Sequence, residues 1–153
     1  MEKGWGQARA AGRFLKRIGC VPELVLTSPL VRARETAEGF CEAAGIDGPV
    51  EVGWLACGAD PETVMEELRG YSEFASVAVV GHEPDLSELV GHLLGAGHGR
   101  VRMKKGAVAC VRLSYGMRMG ELGFLLPPKV VRGGEDAVGP EQPGEQARGN
   151  GPR

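Results

Sequence analysis

The sequence has no Cys-x-x-C pair and no histidine at metal-finger spacing. Its four cysteines, at positions 20, 41, 57 and 110, therefore support neither a zinc site nor a disulfide framework, and buried free thiols are the expectation. No apolar run approaches the roughly 20 residues of a membrane span, and the first twenty residues lack the apolar centre of a signal peptide. The reading is a cytoplasmic protein with no membrane partner. Excess charge is lacking too: 18 Lys+Arg stand against 20 Asp+Glu, a net of −2. Such a balance gives no global field to hold a polyanion, which disfavours nucleic acid as a partner. The 25 glycines and ten prolines follow no collagen-like period but fall in turns and toward the end, and no internal repeat is visible. What remains is an ordinary composition, 42% hydrophobic and 25% charged over 153 residues, as expected of one soluble globular domain.

The last stretch, Gly133 to Arg153, is rich in Gly, Pro and acid and almost free of apolar side chains. It has too little to bury to offset the entropy of ordering it, so residues 133–153 read as a disordered tail behind a domain at 1–132. Removing the tail's two arginines and four acids leaves 16 basic and 16 acidic residues in the domain. An anion site there must come from local geometry.

Trp5, Ala8, Ala11, Leu15 and Ile18 recur at helical spacing from Gly4 to Ile18, and Gly19 closes that helix. Leu24 to Leu26 is a short apolar run ended by Thr27-Ser28-Pro29, where Ser28 is placed to cap, and Pro29 to open, a helix reaching Ala44. Val50 to Val52 suits a short strand, and Asp60-Pro61 repeats the cap-then-proline signal before Val64, Met65 and Leu68. Ala75 to Val80 reads as a second buried strand, and Gly81-His82-Glu83-Pro84 leads into a helix carrying Leu86, Leu89, Val90, Leu93 and Leu94. Ala107 to Leu113 and Glu121 to Leu126 are further strands, joined by a turn over Tyr115 to Gly120. Strands alternating with helices and ending in a hairpin predict a three-layer α/β/α sandwich whose sheet is mostly parallel with an antiparallel edge.

In open α/β sheets ligands gather at the carboxyl ends of the strands, so the segments beginning at Ser28 and Gly81 are the informative ones. The first puts Arg32 and Arg34 in the opening turns of a helix, where free N–H groups and the helix dipole favour an anion and a guanidinium adds a bidentate fork. Two solvated surface arginines are the alternative. The second puts His82 just beyond a strand, able to act as acid, base or cation; a structural histidine is the competing account. Together they describe half of a phosphate pocket. His92 and His98 match no metal spacing and suit surface or packing roles. Lys104 and Lys105, before a strand, form a basic rim or are merely solvated, and Trp54 and Cys57 suit the core or a crevice wall.

The segment Thr27-Ser28-Pro29-Leu30-Val31-Arg32-Ala33-Arg34-Glu35-Thr36-Ala37-Glu38 resembles the S-P-x-x-R-A-x-x-T-A-E stretch of the histidine phosphatase superfamily. Val79-Val80-Gly81-His82-Glu83-Pro84-Asp85-Leu86-Ser87 resembles its second-histidine segment. Short length and the lack of an inserted lid narrow the likeness to the phosphohistidine phosphatases of the SixA type. Further echoes lie at Glu2-Lys3-Gly4, Leu55 to Asp60, Lys105 to Ala109 and Leu126 to Lys129, so the likeness covers nearly all of residues 2 to 132. It implies a phosphoglycerate mutase-like sandwich and a hydrolase acting on a phosphorylated-histidine protein, for instance a histidine phosphotransfer domain, with no cofactor and no metal. Arg32 is then a phosphate-binding arginine and His82 the second pocket histidine. Family members open with a strand and an Arg-His-Gly whose histidine is the nucleophile. No Arg-His-Gly occurs in this chain, which by the resemblance starts just before the first helix with the first strand missing. Alternatives of the same origin are an inactive phosphate- or phosphoprotein-binding module and a small-molecule phosphomonoesterase.

Overall fold

A computed structural model of the chain describes residues 2–114, 116 and 119–137. The elements run α1 (Glu2–Arg17), β1 (Leu24–Thr27), α2 (Val31–Ala44), β2 (Val50–Glu51), α3 (Pro61–Leu68), β3 (Val77–Val80), α4 (Asp85–Leu93), β4 (Val108–Leu113), β5 (Gly120–Leu126) and α5 (Pro128–Ala137), with single 3-10 turns at Gly53–Leu55 and Arg69–Tyr71.

Three strands form a parallel sheet in the order β2-β1-β3, with Leu26 beside Val50 and Val79; β4 and β5 form a separate antiparallel pair. Because successive strand residues point to opposite faces, each short strand feeds two cores. Val25, Ala78, Val80, Val108, Phe124 and Leu126 pack with Ala10, Ala11 and Leu15 of α1, Ala37, Phe40 and Cys41 of α2, and Val131 of α5. Leu24, Leu26, Val77, Val79, Val111 and Leu113 pack on the opposite side with Val64, Met65 and Leu68 of α3 and Leu89 and Leu93 of α4. The layered α/β sandwich and its parallel sheet are as expected, but the antiparallel pair is a separate ladder rather than an edge of that sheet. β3 and β4 contribute to the same two cores, yet among the described residues no ladder hydrogen bonds join them. The strands of the described residues thus form two separate ladders.

Several local expectations shift. Gly19 does close α1, with φ 72° and Cys20 N–H donating to Leu15 O, but the helix stops at Arg17 and Ile18 is 45% exposed beyond it. Trp5 has a side chain outside the described residues. β3 was expected to be buried and is half-buried along its length, where its side away from β1 pairs with no strand among the described residues. Asp60 caps α3 as read, Oδ2 accepting from Thr63 N–H at 3.2 Å, with Pro61 opening the helix. Only Cys41 among the cysteines is buried; Cys20, Cys57 and Cys110 are exposed, so the expectation of buried thiols fails for three, Cys57 included. α5 continues past Arg132 to Ala137, into the stretch read as tail, since a helix started by Pro128 and anchored by buried Val131 sustains itself by local hydrogen bonds. Residues 138–153 lie outside the described residues, as do Tyr115, Met117 and Arg118 of the β4–β5 turn.

Candidate active site

β1 and β3 run side by side and end together at Thr27 and Val80, so the residues after them, Ser28 and Gly81-His82, emerge at one carboxyl edge. There His82 Nε2 lies 2.8 Å from Ser28 Oγ. Ser28 is fully buried, its backbone N–H donates to Val80 O, and its hydroxyl also accepts from Leu30 N–H at 3.2 Å. The serine was expected to cap α2 with Pro29 as the first helical residue. Instead Leu30 holds the cap position without a side-chain bond and the helix begins at Val31, because the serine hydroxyl is taken up by the loop and by His82.

The later start places Arg32 in the first turn of α2, exposed and without an ion pair or hydrogen bond among the described residues. Arg34 has a different fate: Nη1 lies 3.2 Å from Glu51 Oε2 at the end of β2, and its Nε is enclosed without a partner. Of the two arginines read as anion ligands, Glu51 thus occupies one and leaves Arg32 with its charge uncompensated. No acid falls in the first turn of α2, so its N-terminal N–H groups keep their positive end.

A small cleft beside His82 is walled by Leu55, Ala59, Pro61, Val64, Gly81, Asp85, Leu86 and Leu89. Its mouth is shaped by Asp85, whose Oδ2 accepts from Gly58 N–H at 2.8 Å and Ala59 N–H at 3.1 Å, pinning the 56–60 loop to the start of α4. Glu83 accepts from the Ser87 hydroxyl, and Ser87 Oγ in turn accepts from Met103 N–H at 2.8 Å. Both carboxylates near His82 are thereby engaged as acceptors. From the sequence Ser28 reads as a helix cap rather than as a partner of His82, and Asp85 has no role of its own; an acid three residues past a histidine gives no signal. His92 is exposed, and His98 lies at the surface 2.9 Å from Glu88. No group of three metal-capable side chains is found among the described residues, and no described helix is long and apolar enough to cross a membrane.

The fold is an α/β sandwich with a histidine after the end of β3 and, in the first turn of the helix that follows β1, an arginine without a carboxylate partner among the described residues. Residues 1–53 match the sequence model of the histidine phosphatase superfamily (branch 1). Among solved structures, the protein histidine phosphatase SixA complexed with tungstate superposes with a TM-score of 0.75 at 24% identity, covering 86% of this chain and 85% of that one. The α-ribazole phosphatase of Shigella flexneri gives a TM-score of 0.67 at 17% identity over 84% of each chain. An uncharacterized protein of Mycobacterium leprae is 35% identical over 96 residues, 62% of this chain and 57% of that protein. One of Mycobacterium tuberculosis is 35% identical over 88 residues, 57% of this chain and 53% of its own length. The chain spans little more than half the length of these relatives. The family model takes in the Ser28 segment and ends before His82, and the solved structures share the fold.

Proposed function

We propose that this chain carries the phosphate-recognising part of a phosphohistidine phosphatase, a cytoplasmic hydrolase acting on a phosphorylated-histidine protein. The observation that supports this most is the Ser28–His82 contact at the ends of two adjacent strands, beside an α2 start whose Arg32 has no carboxylate partner. Phosphoryl transfer needs the equatorial oxygens held, a nucleophile in line, and a leaving group managed. Arg32 and the N–H groups of α2 serve the first need by bidentate and dipolar attraction. His82, steadied by Ser28, adds a donor that strengthens as charge builds on the phosphoryl oxygens.

The attacking group is the part these residues do not supply. In the resembled family it is the histidine of an Arg-His-Gly, and none of His82, His92 and His98 stands in such a segment. Leaving-group chemistry favours phosphohistidine over an alkyl phosphoester. The labile P–N bond needs little help from an acid, and the carboxylates of Glu83 and Asp85 are occupied as acceptors.

The test has two arms. Tungstate binding to the 153-residue chain should weaken about tenfold or more in Arg32→Ala, a loss of about 1.4 kcal/mol. Phosphohistidine hydrolysis should be at background for this chain, and should appear in a longer chain if the in-frame codons upstream of Met1 encode Arg-His-Gly. Preference of that longer chain for sugar or nucleotide phosphates would make it a small-molecule phosphomonoesterase. Tungstate binding with no turnover in either form would make the protein a binding module.

A further inference from the structure

Between Leu89 and Gly120 the sequence has no acidic residue at all, but it has Arg100, Arg102, Lys104, Lys105, Arg112 and Arg118. In a domain whose charges balance, such a stretch is a local concentration. Residues 101–104 lie outside any helix or strand, with Val101 and Met103 half-buried while Arg100, Arg102, Lys104 and Lys105 are exposed. Over 100–104 the half-buried Val101 and Met103 alternate with exposed cations, and Lys105 continues the exposed strip.

The strip is held in place at both ends. Val101 packs over Gly91 of α4, Met103 N–H donates to Ser87 Oγ in the first turn of α4, and Ala107 N–H closes a turn onto Lys104 O. Gly106, at φ 88°, lies against the Gln7 side chain and Pro128, where a Cβ would come within 2.9 Å of Gln7 Oε1. Ser87 donates to Glu83, the residue after His82, so the strip is joined to the candidate site through Met103, Ser87 and Glu83. The acid best placed to neutralise it, Glu88, is spent on His98 and on Gly99 N–H. Among the described residues none of the four cations has a carboxylate partner.

We infer that Arg100, Arg102, Lys104 and Lys105 form a docking strip for an acidic face of the phosphoprotein whose phosphate reaches His82 and Arg32. The inference rests on the phosphoprotein reading above. Four solvated cations of one sign, fixed beside the site, favour a partner of opposite charge through encounter rate and orientation more than through raw affinity. An acidic protein face fits better than nucleic acid, because the balanced domain has no wider positive field to follow a phosphate backbone and no Phe, Tyr or Trp lies between residues 95 and 112 to stack a base.

The test measures binding of two synthetic helical peptides to the full chain, each carrying a stable phosphonate analogue of phosphohistidine, one flanked by four Glu and the other by four Gln. The Glu peptide should bind at least about fivefold tighter at low salt, and the advantage should fade by about 0.5 M salt. Arg100→Glu combined with Arg102→Glu should abolish the preference, as should Lys104→Glu with Lys105→Glu, while tungstate affinity and thermal midpoint stay unchanged. Equal affinity for both peptides, or a preference that survives both reversals, overturns the strip. So does stronger binding of a twelve-nucleotide single strand, or of vesicles with 30% anionic lipid, than of the Glu peptide. A Glu peptide without the phosphonate that binds as tightly as the one bearing it leaves the strip standing and sinks the phosphoprotein reading.

Discussion

His82 Nε2 and Ser28 Oγ meet at 2.8 Å across the carboxyl ends of β3 and β1, although 54 residues separate them in the chain. The contact fixes the imidazole relative to the start of α2, and so relative to the arginine in that helix's first turn. Ser28→Ala removes the ring's partner and the acceptor for Leu30 N–H together. The expected result is a loss of about 1–2 kcal/mol in urea unfolding, from two partly buried hydrogen bonds of ordinary worth. Tungstate affinity should fall with it, and the His82 ring resonances should broaden in NMR. A His82 signal unmoved by the substitution would show that the contact does not orient the ring.

Asp85 is a positioning residue of a different kind. Its carboxylate takes two backbone N–H bonds from Gly58 and Ala59 that would otherwise be unpaired at the cleft mouth. Charge-assisted bonds of this type are stronger than neutral ones. Asp85→Ala should cost about 1–3 kcal/mol and speed amide exchange at Gly58 and Ala59. Asp85→Asn, keeping one acceptor without the charge, should fall between. His92→Ala, at an exposed site, should change neither.

α1 and α2 approach closely at Gly12, where a Cβ would stand 2.5 Å from Phe40 O and 3.0 Å from the Ala43 Cβ. Two effects of Gly12→Ala oppose each other. Helix propensity gains up to about 1 kcal/mol, but the new methyl strikes backbone, which cannot swing aside, and overpacking of this kind costs about 1–3 kcal/mol. The clash wins, so calorimetry should show a lower melting temperature; a rise would mean that the helices part at no cost.

The core's one buried thiol offers a pH-dependent test. Burial, then the nearby charges of Asp47 and Glu38, raise the Cys41 pKa from 9.0 to about 11. The folded state therefore keeps the proton where the unfolded chain has lost it. Stability from this group is complete below pH 9 and declines as pH climbs toward 11, by up to about 2–3 kcal/mol. The urea midpoint should drop between pH 8 and 10.5, and Cys41→Ala should flatten that drop while lowering the midpoint throughout. In the native protein a thiol reagent should modify Cys20, Cys57 and Cys110 quickly and Cys41 only on unfolding.

Legibility from sequence followed the strength of local signals. Asp60-Pro61, Gly19 and the 3.6-residue pattern of α4 were readable because each acts through its own neighbours. The pairing of Ser28 with His82 was half readable: strand ends give the edge, but not which hydroxyl meets the ring. The separation of Arg32 from Arg34 was not readable, since it depends on Glu51 arriving at the end of β2, beyond the next connection. Exposure of Cys57 and Ile18 was likewise set by where a loop and a helix stop, a choice that local propensity decides poorly.

The divided sheet carries the last prediction. Ser28 N–H donates to Val80 O and Glu23 N–H to Ser76 O, so the even-numbered residues of this stretch turn their polar backbone to β1. By the alternation of a strand, Val77 and Val79 turn theirs the other way, toward the side where the described residues provide no ladder. Their amides should exchange at least about a hundredfold faster than that of Ala78, whose bond to β1 opens only with the sheet. An unpaired apolar edge also templates association, so the chain should gain mass with concentration in sedimentation, and Val79→Pro, which removes a donor on the open side, should reduce that gain. In a longer chain that supplies a strand between β3 and β4, the Val77 and Val79 amides should become as protected as Ala78 and the self-association should vanish. Equal protection of Val77, Ala78 and Val79 in the 153-residue chain would mean that β3 is already paired on both sides, and the gap in the sheet would have to be abandoned.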